Sequence, residues 1–533
     1  MANRNLFGST PIQVPNRSGF DLSHENMLTL KCGQLVPVMT DLLIPGDRVS
    51  VGSAFEIQLP PMATDFYGRV RFKMEAFFVP CRLLYGGWQK FMTSPTGNNA
   101  PSATSVGSTL PYCVIPAEKA SVLGRASLAD YLGYKGSVNT RQRINNILRF
   151  MAYHKIYDDW YRDSRIQKPV FDEAVPVNSS AGAMSVANLP YQAVNGAWFN
   201  YGDATKFADG VDLFTLRQRN WARDYFTNAT PLPQAGAGAS LSFDVADNAG
   251  SFTIASLRAA NSLQMWLERN NIAGNRYADQ IKAHFGVMPS DAVTQRAIYL
   301  GSSSSVIYNH SVYQTNNMGD VVGDGSPNPF SSVGSKYSAP IGSDKSSLVG
   351  DFSVTEFGYL MVIGSIVPDA VYATGVNRDF FRLQIGDFAF PLLQGVGDQP
   401  IYKAELANVG VDGNTMDAME TFGYTQRFAE YKFMEDEVHG GLCDGQSLSA
   451  FALKRSFGTL PNTALGASFL EIPVTYLDDV SASASSLPST YGAWADIFFQ
   501  YRKTSVLSAY TIPTLGDPHN THLETVPTGG RRL

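Results

Sequence analysis

The chain is poor in charged residues. Asp, Glu, Lys and Arg make up 17% of its 533 residues, against about a quarter in typical soluble domains. Hydrophobic residues amount to 44% and aromatic residues to 12%. A freely soluble monomer normally carries more surface charge, whereas interfaces are depleted in charge and enriched in aromatic residues. The composition therefore suits either a protein that covers much of its surface with partners or a large β-protein with an aromatic core.

An excess of basic charge is also absent. Lys and Arg number 41 against 47 Asp and Glu, so the net charge is −6. A protein that neutralises nucleic acid by itself needs many Lys and Arg contacts to phosphates. If the chain has a nucleic acid as partner, another molecule has to balance most of the phosphate charge.

Cysteine is scarce and scattered. The four cysteines, at 32, 81, 113 and 443, lie far apart and form no C-x-x-C motif. This spacing argues against a zinc ribbon or a redox pair. We predict buried, reduced thiols, as expected of a protein assembled in a reducing cytoplasm.

Long apolar segments are missing as well. The N-terminus has no apolar region of the kind found in secretion signals, and the longest apolar run, residues 359–367, is too short to span a bilayer. The sequence therefore predicts no membrane insertion.

The common catalytic motifs are not found either. The sequence has no phosphate-binding loop, dinucleotide fingerprint, zinc-protease helix or serine-hydrolase elbow. His519 and His522 have H-x-x-H spacing but lie in a polar tail. Glu435-Asp436-Glu437-Val438-His439 could supply a carboxylate pair for acid–base chemistry, although a solvated loop or a charge patch at a subunit interface is the simpler interpretation. We predict no enzyme activity, no cofactor and no metal.

The pattern that is present is mainly β. Apolar residues at 70, 72 and 74 alternate with charged residues at 71, 73 and 75, which predicts a strand in an antiparallel sheet with one wet face. The whole segment 28–80 is strand-like. Further strands are predicted at 354–368, 401–408, 469–476 and 494–505.

Helical periodicity is confined to the middle of the chain. Residues 139–165 carry an apolar stripe, and their arginines are either paired with Asp158, Asp159 and Asp163 on a solvated face or part of a basic surface that contacts DNA. A second helix is predicted at 254–270. A third, short helix contains Tyr277, Ile281 and Phe285 and ends at Gly286.

Strands at both ends of the chain, separated by helices and long loops, favour one discontinuous sandwich or jelly roll with inserted helices. We expect an N-terminal arm at 1–25, a single domain at 26–510 with insertions at about 94–350, and a C-terminal tail at 511–533.

Residues 219–234, Arg-Asn-Trp-Ala-Arg-Asp-Tyr-Phe-Thr-Asn-Ala-Thr-Pro-Leu-Pro-Gln, are the most distinctive stretch. Aromatic residues at 221, 225 and 226 precede two prolines, which cannot continue a helix. From the residues alone, this is a helix end packed on a core.

The same stretch resembles the W-x-x-D-Y-F-T…P-x-P-Q tract of the major capsid proteins of the Microviridae, small icosahedral single-stranded DNA phages, and is most similar to the gokushovirus-like branch. Other tracts follow in the family's order: Phe20-Asp21-Leu22-Ser23, Gly33-Gln34-Leu35-Val36-Pro37, Pro45-Gly46-Asp47, and Phe77-Phe78-Val79-Pro80 with Arg82-Leu83. The resemblance covers roughly residues 20 to 300.

The resemblance implies an eight-stranded antiparallel viral jelly roll with large helix- and loop-containing insertions. It implies a structural capsid protein, sixty copies of which form a T=1 shell around a circular single-stranded DNA genome, together with a small basic DNA-associated viral protein. The protein would lie in the virion after assembly in the cytoplasm of the host bacterium. An insertion would protrude from the shell and meet a host surface receptor; our first candidate is 172–215 and the alternative is 302–347.

Flexible termini often line the interior of a shell, so their arginines are the candidate DNA contacts. These are Arg4, Arg17, Arg531 and Arg532. Aromatic side chains nearby would stack on bases.

A carbohydrate-binding or carbohydrate-processing β-sandwich is the alternative function. Its sugar groove would be lined by aromatic residues, and Glu435 with Asp436 would supply the carboxylates. Such a protein would be a monomer or a small oligomer, whereas a capsid protein forms a very large particle. A tail-fibre or surface-layer protein would usually show repeats, and none is visible in the sequence.

Overall fold

The computed structural model describes only part of the chain. The described residues are 17–59, 67–85, 88, 92, 110, 113–115, 123–135, 142–167, 170, 213–233, 258, 261–263, 265–266, 269–270, 276–291, 295–307, 311–314, 335–338, 341–395, 397–407, 419–457, 464–477 and 492–507.

Antiparallel strands dominate this part of the chain. They are β1 (Ser18–Asp21), β2 (His24–Leu30), β3 (Val36–Leu43), β4 (Arg48–Gln58), β5 (Val70–Pro80), β6 (Cys113–Ile115), β7 (Gln142–Ile144), β8 (Ile298–Ile307), β9 (Ser311–Gln314), β10 (Ser335–Ser338), β11 (Ile341–Ser353), β12 (Gly358–Pro368), β13 (Asp398–Tyr402), β14 (Thr421–Gln426) and β15 (Ala493–Ser505).

The helices in the described part of the chain are short. They are α1 (Cys81–Leu84), α2 (Leu128–Tyr131), α3 (Leu148–Ile156), which continues as a π-helical turn at Tyr157–Tyr161, α4 (Tyr277–Phe285) and α5 (Ala467–Leu470).

Two sheets form a sandwich. In the first sheet β1 and β2 both pair with one edge of β15, followed by β4 and β11. In the second the order is β3, β12, β5 and β8. Alternate side chains of β4 and β15 point inward and meet those of the second sheet in a core that includes Phe55, Phe72 and Phe499. The mainly β, antiparallel fold predicted from the sequence is confirmed.

A helical layer covers the outer face of the second sheet. Side chains of α3 pack on Phe77, Tyr359 and Met361 and form a second core. Strand β12 is consequently buried on both faces along almost its whole length, which explains its continuous apolar run.

The predicted wet face of β5 is only partly found: Arg71 and Lys73 are partly exposed, whereas the strand is buried from Glu75 onward. Glu75 is only 8% exposed, and its carboxylate binds the Arg219 guanidinium at 2.8 Å and the Tyr161 hydroxyl at 2.6 Å. Burial alone would raise the pKa of Glu75, but Arg219 and Lys73 lower it to about 2. The charged residue at position 75 of the strand pattern therefore belongs to a buried ion pair and does not face solvent.

The helix predicted over 139–165 is shorter than expected. Its first part is strand β7, and the helix and π-helical turn occupy only 148–161. Of its arginines, Arg162 pairs with Asp158 and Arg165 with Asp163. The predicted pairing is confirmed, but these side chains are largely buried, so the pairs do not form a solvated face.

Several other sequence predictions are tested. Strands at 354–368 and 494–505 and the helix ending at Gly286, which has a φ of 70°, are confirmed. The strand at 401–408 ends at Tyr402 in a 3₁₀ turn, Lys403–Glu405. The strand predicted at 469–476 is wrong, because α5 and turns lie there. The helix predicted at 254–270 falls mostly outside the described residues.

Cys32 and Cys81 are buried and form no disulfide, as predicted, and Cys443 is half-buried. Burial raises the pKa of Cys81 to about 12. Within the described ranges, no helix has the length and apolar character needed to cross a bilayer, and no cluster of His, Cys, Asp and Glu is arranged to hold a metal.

Candidate interaction surface

The distinctive segment at 219–234 connects the sandwich to a third core. Trp221 packs in the sandwich core, while Tyr225 and Phe226 pack in the third core with Tyr372 and Phe422. The backbone is irregular and is held by bonds such as Trp221 N–H to the Leu470 carbonyl at 2.8 Å. The packing interpretation is confirmed, but the predicted helix is wrong.

Asp224 organises this junction. Its Oδ1 accepts the backbone N–H groups of Phe226 and Thr227 at 3.0 and 2.7 Å, and its Oδ2 accepts the Tyr372 hydroxyl at 2.7 Å. Tyr372 in turn accepts a hydrogen bond from Arg455 at 3.0 Å. The Arg455 guanidinium is buried against aromatic rings, 4.4 Å from the centre of the Phe469 ring. Such charge-assisted bonds fix side chains more firmly than neutral ones.

A second buried carboxylate anchors the segment that follows. Glu405 binds Arg378 at 2.7 Å and accepts the Tyr225 hydroxyl at 3.1 Å. Gly375 lies in the segment that leads to Arg378. It has a φ of 109°, and a side chain there would overlap the backbone carbonyl of Glu405. Glycine is the residue that tolerates this conformation, so the chain can pass close to Glu405 before Arg378.

From Arg378 the chain runs over the surface with its apolar side chains outward. Every residue of 378–393 is described, and none of them is buried. The neighbouring stretch 431–434 is exposed in the same way. We call these two stretches the apolar surface; its large side chains and their exposures are Phe380 78%, Leu383 75%, Ile385 79%, Phe388 50%, Phe390 45%, Leu392 91%, Tyr431 53%, Phe433 56% and Met434 97%.

Local hydrogen bonds order this segment in place of packing. It consists of 3₁₀ turns at Arg378–Phe381, Ile385–Asp387 and Pro391–Leu393. Asp387 accepts the N–H groups of Leu383 and Gln384. Arg382 joins the two stretches, because it pairs with Asp379 at 2.9 Å and Glu430 at 3.5 Å and lies 4.5 Å from the centre of the Tyr431 ring.

The size of the apolar surface is unusual for a monomer. A large aromatic side chain presents ~150–250 Å², so the exposures above correspond to an area on the order of 1,000 Å². The largest apolar patch of a typical monomer is about 300–600 Å², whereas a standard protein interface covers about 800 Å² on each partner. The apolar surface is therefore large enough for one complete protein contact.

A pocket of about 660 Å³ opens beside it. Its walls include Phe380, Phe433 and Met434 of the apolar surface and the carboxylates of Glu405, Glu430, Glu435 and Glu437. Glu435 accepts the Tyr225 N–H at 2.8 Å. Burial, followed by repulsion from Asp224, raises the pKa of Glu435 to about 7.

The acidic cluster 435–439 thus lies at the rim of this pocket. Asp436 and Glu437 are exposed, and Glu437 lies 3.2 Å from His439. The pocket joins Glu435 to the carboxylates of other loops, which the spacing in the sequence does not reveal.

Two more apolar areas are exposed elsewhere. Helix α4 buries only Ala278; Tyr277 is 72%, Phe285 78% and Met288 74% exposed. On the outer face of the first sheet, Met27, Trp494 and Phe498 are exposed. Exposed apolar side chains are therefore not confined to the apolar surface.

The predicted DNA contacts are not brought together in the described residues. Arg17 is exposed next to β1, and Arg4, Arg531 and Arg532 lie outside the described residues. Of the first candidate protrusion, 172–215, only 213–215 are described, and Leu213 and Phe214 are buried in the second core. The alternative, 302–347, contains the end of β8, the paired strands β9 and β10 and the first part of β11.

Comparison with known proteins adds an independent finding. The sequence model of the family described as "Capsid protein (F protein)" matches residues 10–247 and 239–515. Capsid protein VP1 of Chlamydia phage 1 is 24% identical over 612 aligned residues, covering 96% of this chain and 98% of the relative. Capsid protein VP1 of Bdellovibrio phage phiMH2K is 26% identical, with the same coverage. Capsid protein VP1 of Spiroplasma virus 4 is 24% identical and covers 94% of this chain and 95% of the relative.

Proposed function

Because the chain belongs to the capsid protein (F protein) family, we propose that sixty copies of it form a T=1 icosahedral shell around a circular single-stranded DNA genome. Membership of the family implies a structural, non-enzymatic role in the virion and assembly with further copies of the chain. The observation that carries the proposal is the apolar surface, which is of the size that one subunit contact buries. Family membership favours this function over a carbohydrate-binding sandwich.

The sandwich would be the jelly-roll tile of this shell. Since β1 and β2 share one edge of β15, each sheet has four strand positions, which supports an eight-stranded jelly roll. The chain leaves the second sheet after β5 and returns to it at β8, which supports one discontinuous domain at 26–510 with insertions at about 94–350. Residues 1–25 and 511–533 would be the arm and the tail.

The mechanism is geometric. Apolar contacts between tiles would supply the free energy of assembly, and the pattern of contacts would fix the symmetry. Because the chain is acidic overall, a small basic viral protein would balance most of the DNA charge. Assembly would take place in the cytoplasm of the host bacterium.

The terminal arginines would make direct contacts to the genome. We expect substitution of Arg4, Arg17, Arg531 and Arg532 by alanine to lower the DNA content per particle by at least about twofold, because phosphate contacts are lost, while shells still form. The DNA-to-protein absorbance ratio of purified particles measures this. As a control of equal charge, alanine replaces Arg48, Arg71, Arg125 and Arg223, whose side chains are 43–71% exposed. An equal DNA content per particle in the terminal-arginine variant and the control variant would exclude the terminal arginines as specific DNA contacts.

Host attachment would use an insertion. We expect replacement of residues 172–212 by a short Gly-Ser linker to keep Leu213 and Phe214 in the second core and to leave particles intact. Adsorption to the host should fall at least tenfold, measured as unbound infectious particles after mixing with cells. The matched variant replaces 315–334, between β9 and β10. A loss of adsorption only in this second variant would transfer the role to 302–347.

The test of the proposed function is electron microscopy of the chain expressed alone and of lysate from infected cells, with nuclease protection of the same fractions. We expect uniform small icosahedra that protect circular single-stranded DNA in the lysate. A small, DNA-free oligomer in both samples would contradict the proposal, and a glycan-binding screen would follow.

A further inference from the structure

Glu435 is a carboxylate without a cationic partner among the described ion pairs. Its Oε1 accepts one hydrogen bond, from the Tyr225 N–H. The nearby cations have other partners, since Arg378 binds Glu405 and Arg382 binds Asp379 and Glu430. Arg455 donates to the Tyr372 hydroxyl and the Phe469 carbonyl.

The residue belongs to the edge of the apolar surface. It directly follows Phe433 and Met434, which are 56% and 97% exposed, and all three line the same pocket. A molecule that covers these two apolar side chains therefore also removes Glu435 from water. Since an ionised carboxylate is costly to bury without a partner, the covered Glu435 must bind a proton or receive a cation from the other molecule.

We propose that a second copy of this chain docks on the apolar surface and that docking takes up a proton at Glu435. The proposal rests on the proposed function, which makes a second copy the occupant. The area on the order of 1,000 Å² also matches the roughly 800 Å² that each partner gives to a standard interface.

The charges around Glu435 favour proton uptake. On its own segment lie Lys432, Asp436, Glu437 and His439. The pocket walls add Tyr372, Arg378, Asp379 and Arg382 from the segment after β12, Glu405 after β13 and Glu430 after β14. Asp224 and Arg455 both bind the Tyr372 hydroxyl. Because Arg378, Arg382 and Arg455 are bound to other groups, burial followed by repulsion from Asp224, Asp436 and Glu437 dominates at Glu435. Its pKa is accordingly raised to about 7 before any docking, and further burial would raise it more.

The direction of the pH dependence follows from this. A group that gains a proton on docking favours the docked state at low pH. Association should be strongest below about pH 7. Between the pKa of Glu435 in the free subunit and its pKa in the docked subunit, the association constant of each contact should fall by up to about tenfold per pH unit. Above the docked pKa it should level off.

The experiment compares assembly of the full chain between pH 5.5 and 9 by light scattering and sedimentation. Wild type should assemble progressively less well above pH 7. Glu435→Gln keeps an oxygen for the Tyr225 N–H but carries no charge, so it should assemble at pH 8.5 as wild type does at pH 6. Glu420→Gln is the matched control, because Glu420 pairs with Lys403 and does not line the pocket; it should keep the wild-type profile. Unfolding curves of both variants check that they are folded.

Three results would overturn the inference. The same pH profile in wild type and Glu435→Gln would show that no proton is taken up there, while leaving the shell function intact. Assembly that improves with pH and is weakened by Glu435→Gln would show that the partner supplies a cation. If no variant forms particles at any pH, the proposed function itself fails, and the proton linkage fails with it.

Discussion

Substitution of Ile385 and Leu392 by serine is expected to leave the subunit folded and to abolish shell formation. These side chains are 79% and 91% exposed, so their loss costs the isolated subunit little, within about 0.5 kcal/mol each. Burying each in a subunit contact contributes about 1.5–3 kcal/mol. The double variant would therefore weaken one contact by roughly 10²- to 10⁴-fold, and every subunit of a shell carries the same defect. Sedimentation and electron microscopy measure the outcome.

The control variant carries the same chemical change outside the apolar surface. Leu22 and Leu507 are 40% and 58% exposed and flank strands of the first sheet. Their replacement by serine should leave assembly within a few-fold of wild type. If the double variant at 385 and 392 forms normal particles, the apolar surface is not a subunit contact, and the areas on α4 and on the first sheet become the candidates.

Much of the sandwich could be predicted because its strands have a simple period. Strand β15 alternates buried and exposed residues along most of its length, and the continuous apolar run in β12 predicted a strand. The covering of the second sheet could not be predicted in the same way. It depends on α3, which lies far along the chain from β5 and β12, and on long-range pairs such as Glu75 with Arg219.

The apolar surface escaped prediction for a different reason. Residues 378–393 have neither a helical nor a strand period, and their turns are held by Asp387 and Arg382 instead of by packing. The remaining signal is the density of large apolar residues in the segment Phe380 to Leu393 without any period. A helix or strand pattern cannot detect such a segment, because its apolar residues follow the period of neither element.

The acidic residues at 435–437 show what spacing in the sequence can and cannot predict about a site. Their proximity to one another was visible, whereas Asp224 lies about two hundred residues earlier and joins them only through the third core. The raised pKa of Glu435 arises from burial and, next, from the repulsion of Asp224. The local sequence shows that Glu435 is acidic, but it does not show the burial and the distant carboxylate that raise its pKa.

The largest loss of subunit stability is expected for Arg219→Met. The Arg219 guanidinium donates to both oxygens of Glu75, at 2.8 and 3.2 Å, and to the Ser365 hydroxyl at 2.9 Å. Removing one partner of a buried pair costs about 3–5 kcal/mol, and here it leaves the buried carboxylate with the partly exposed Lys73 as its cationic partner. Chemical denaturation at pH 7 should show this loss. Arg71→Met is the matched control on the same strand as Glu75, because its pair with Asp369 is 43% exposed on the arginine side and is worth at most about 1 kcal/mol.

The pH dependence separates the ion pair from simple packing. In wild type the pKa of Glu75 is lowered to about 2, so its stabilisation is present above the unfolded pKa, near 4.5, and is lost as the pH falls toward 2. In Arg219→Met the buried carboxylate keeps only the partly exposed Lys73, 2.8 Å away, as a cationic partner. Its pKa should therefore rise, and the difference from wild type should be largest at pH 7 and should shrink toward pH 3. The double variant Glu75→Gln/Arg219→Met should recover a large part of the loss at pH 7, because the buried carboxylate is no longer present. A loss that is the same at both pH values and is not recovered in the double variant would mean that Arg219 stabilises the junction by packing on Tyr161, whose ring centre is 5.2 Å away, and not by its charge.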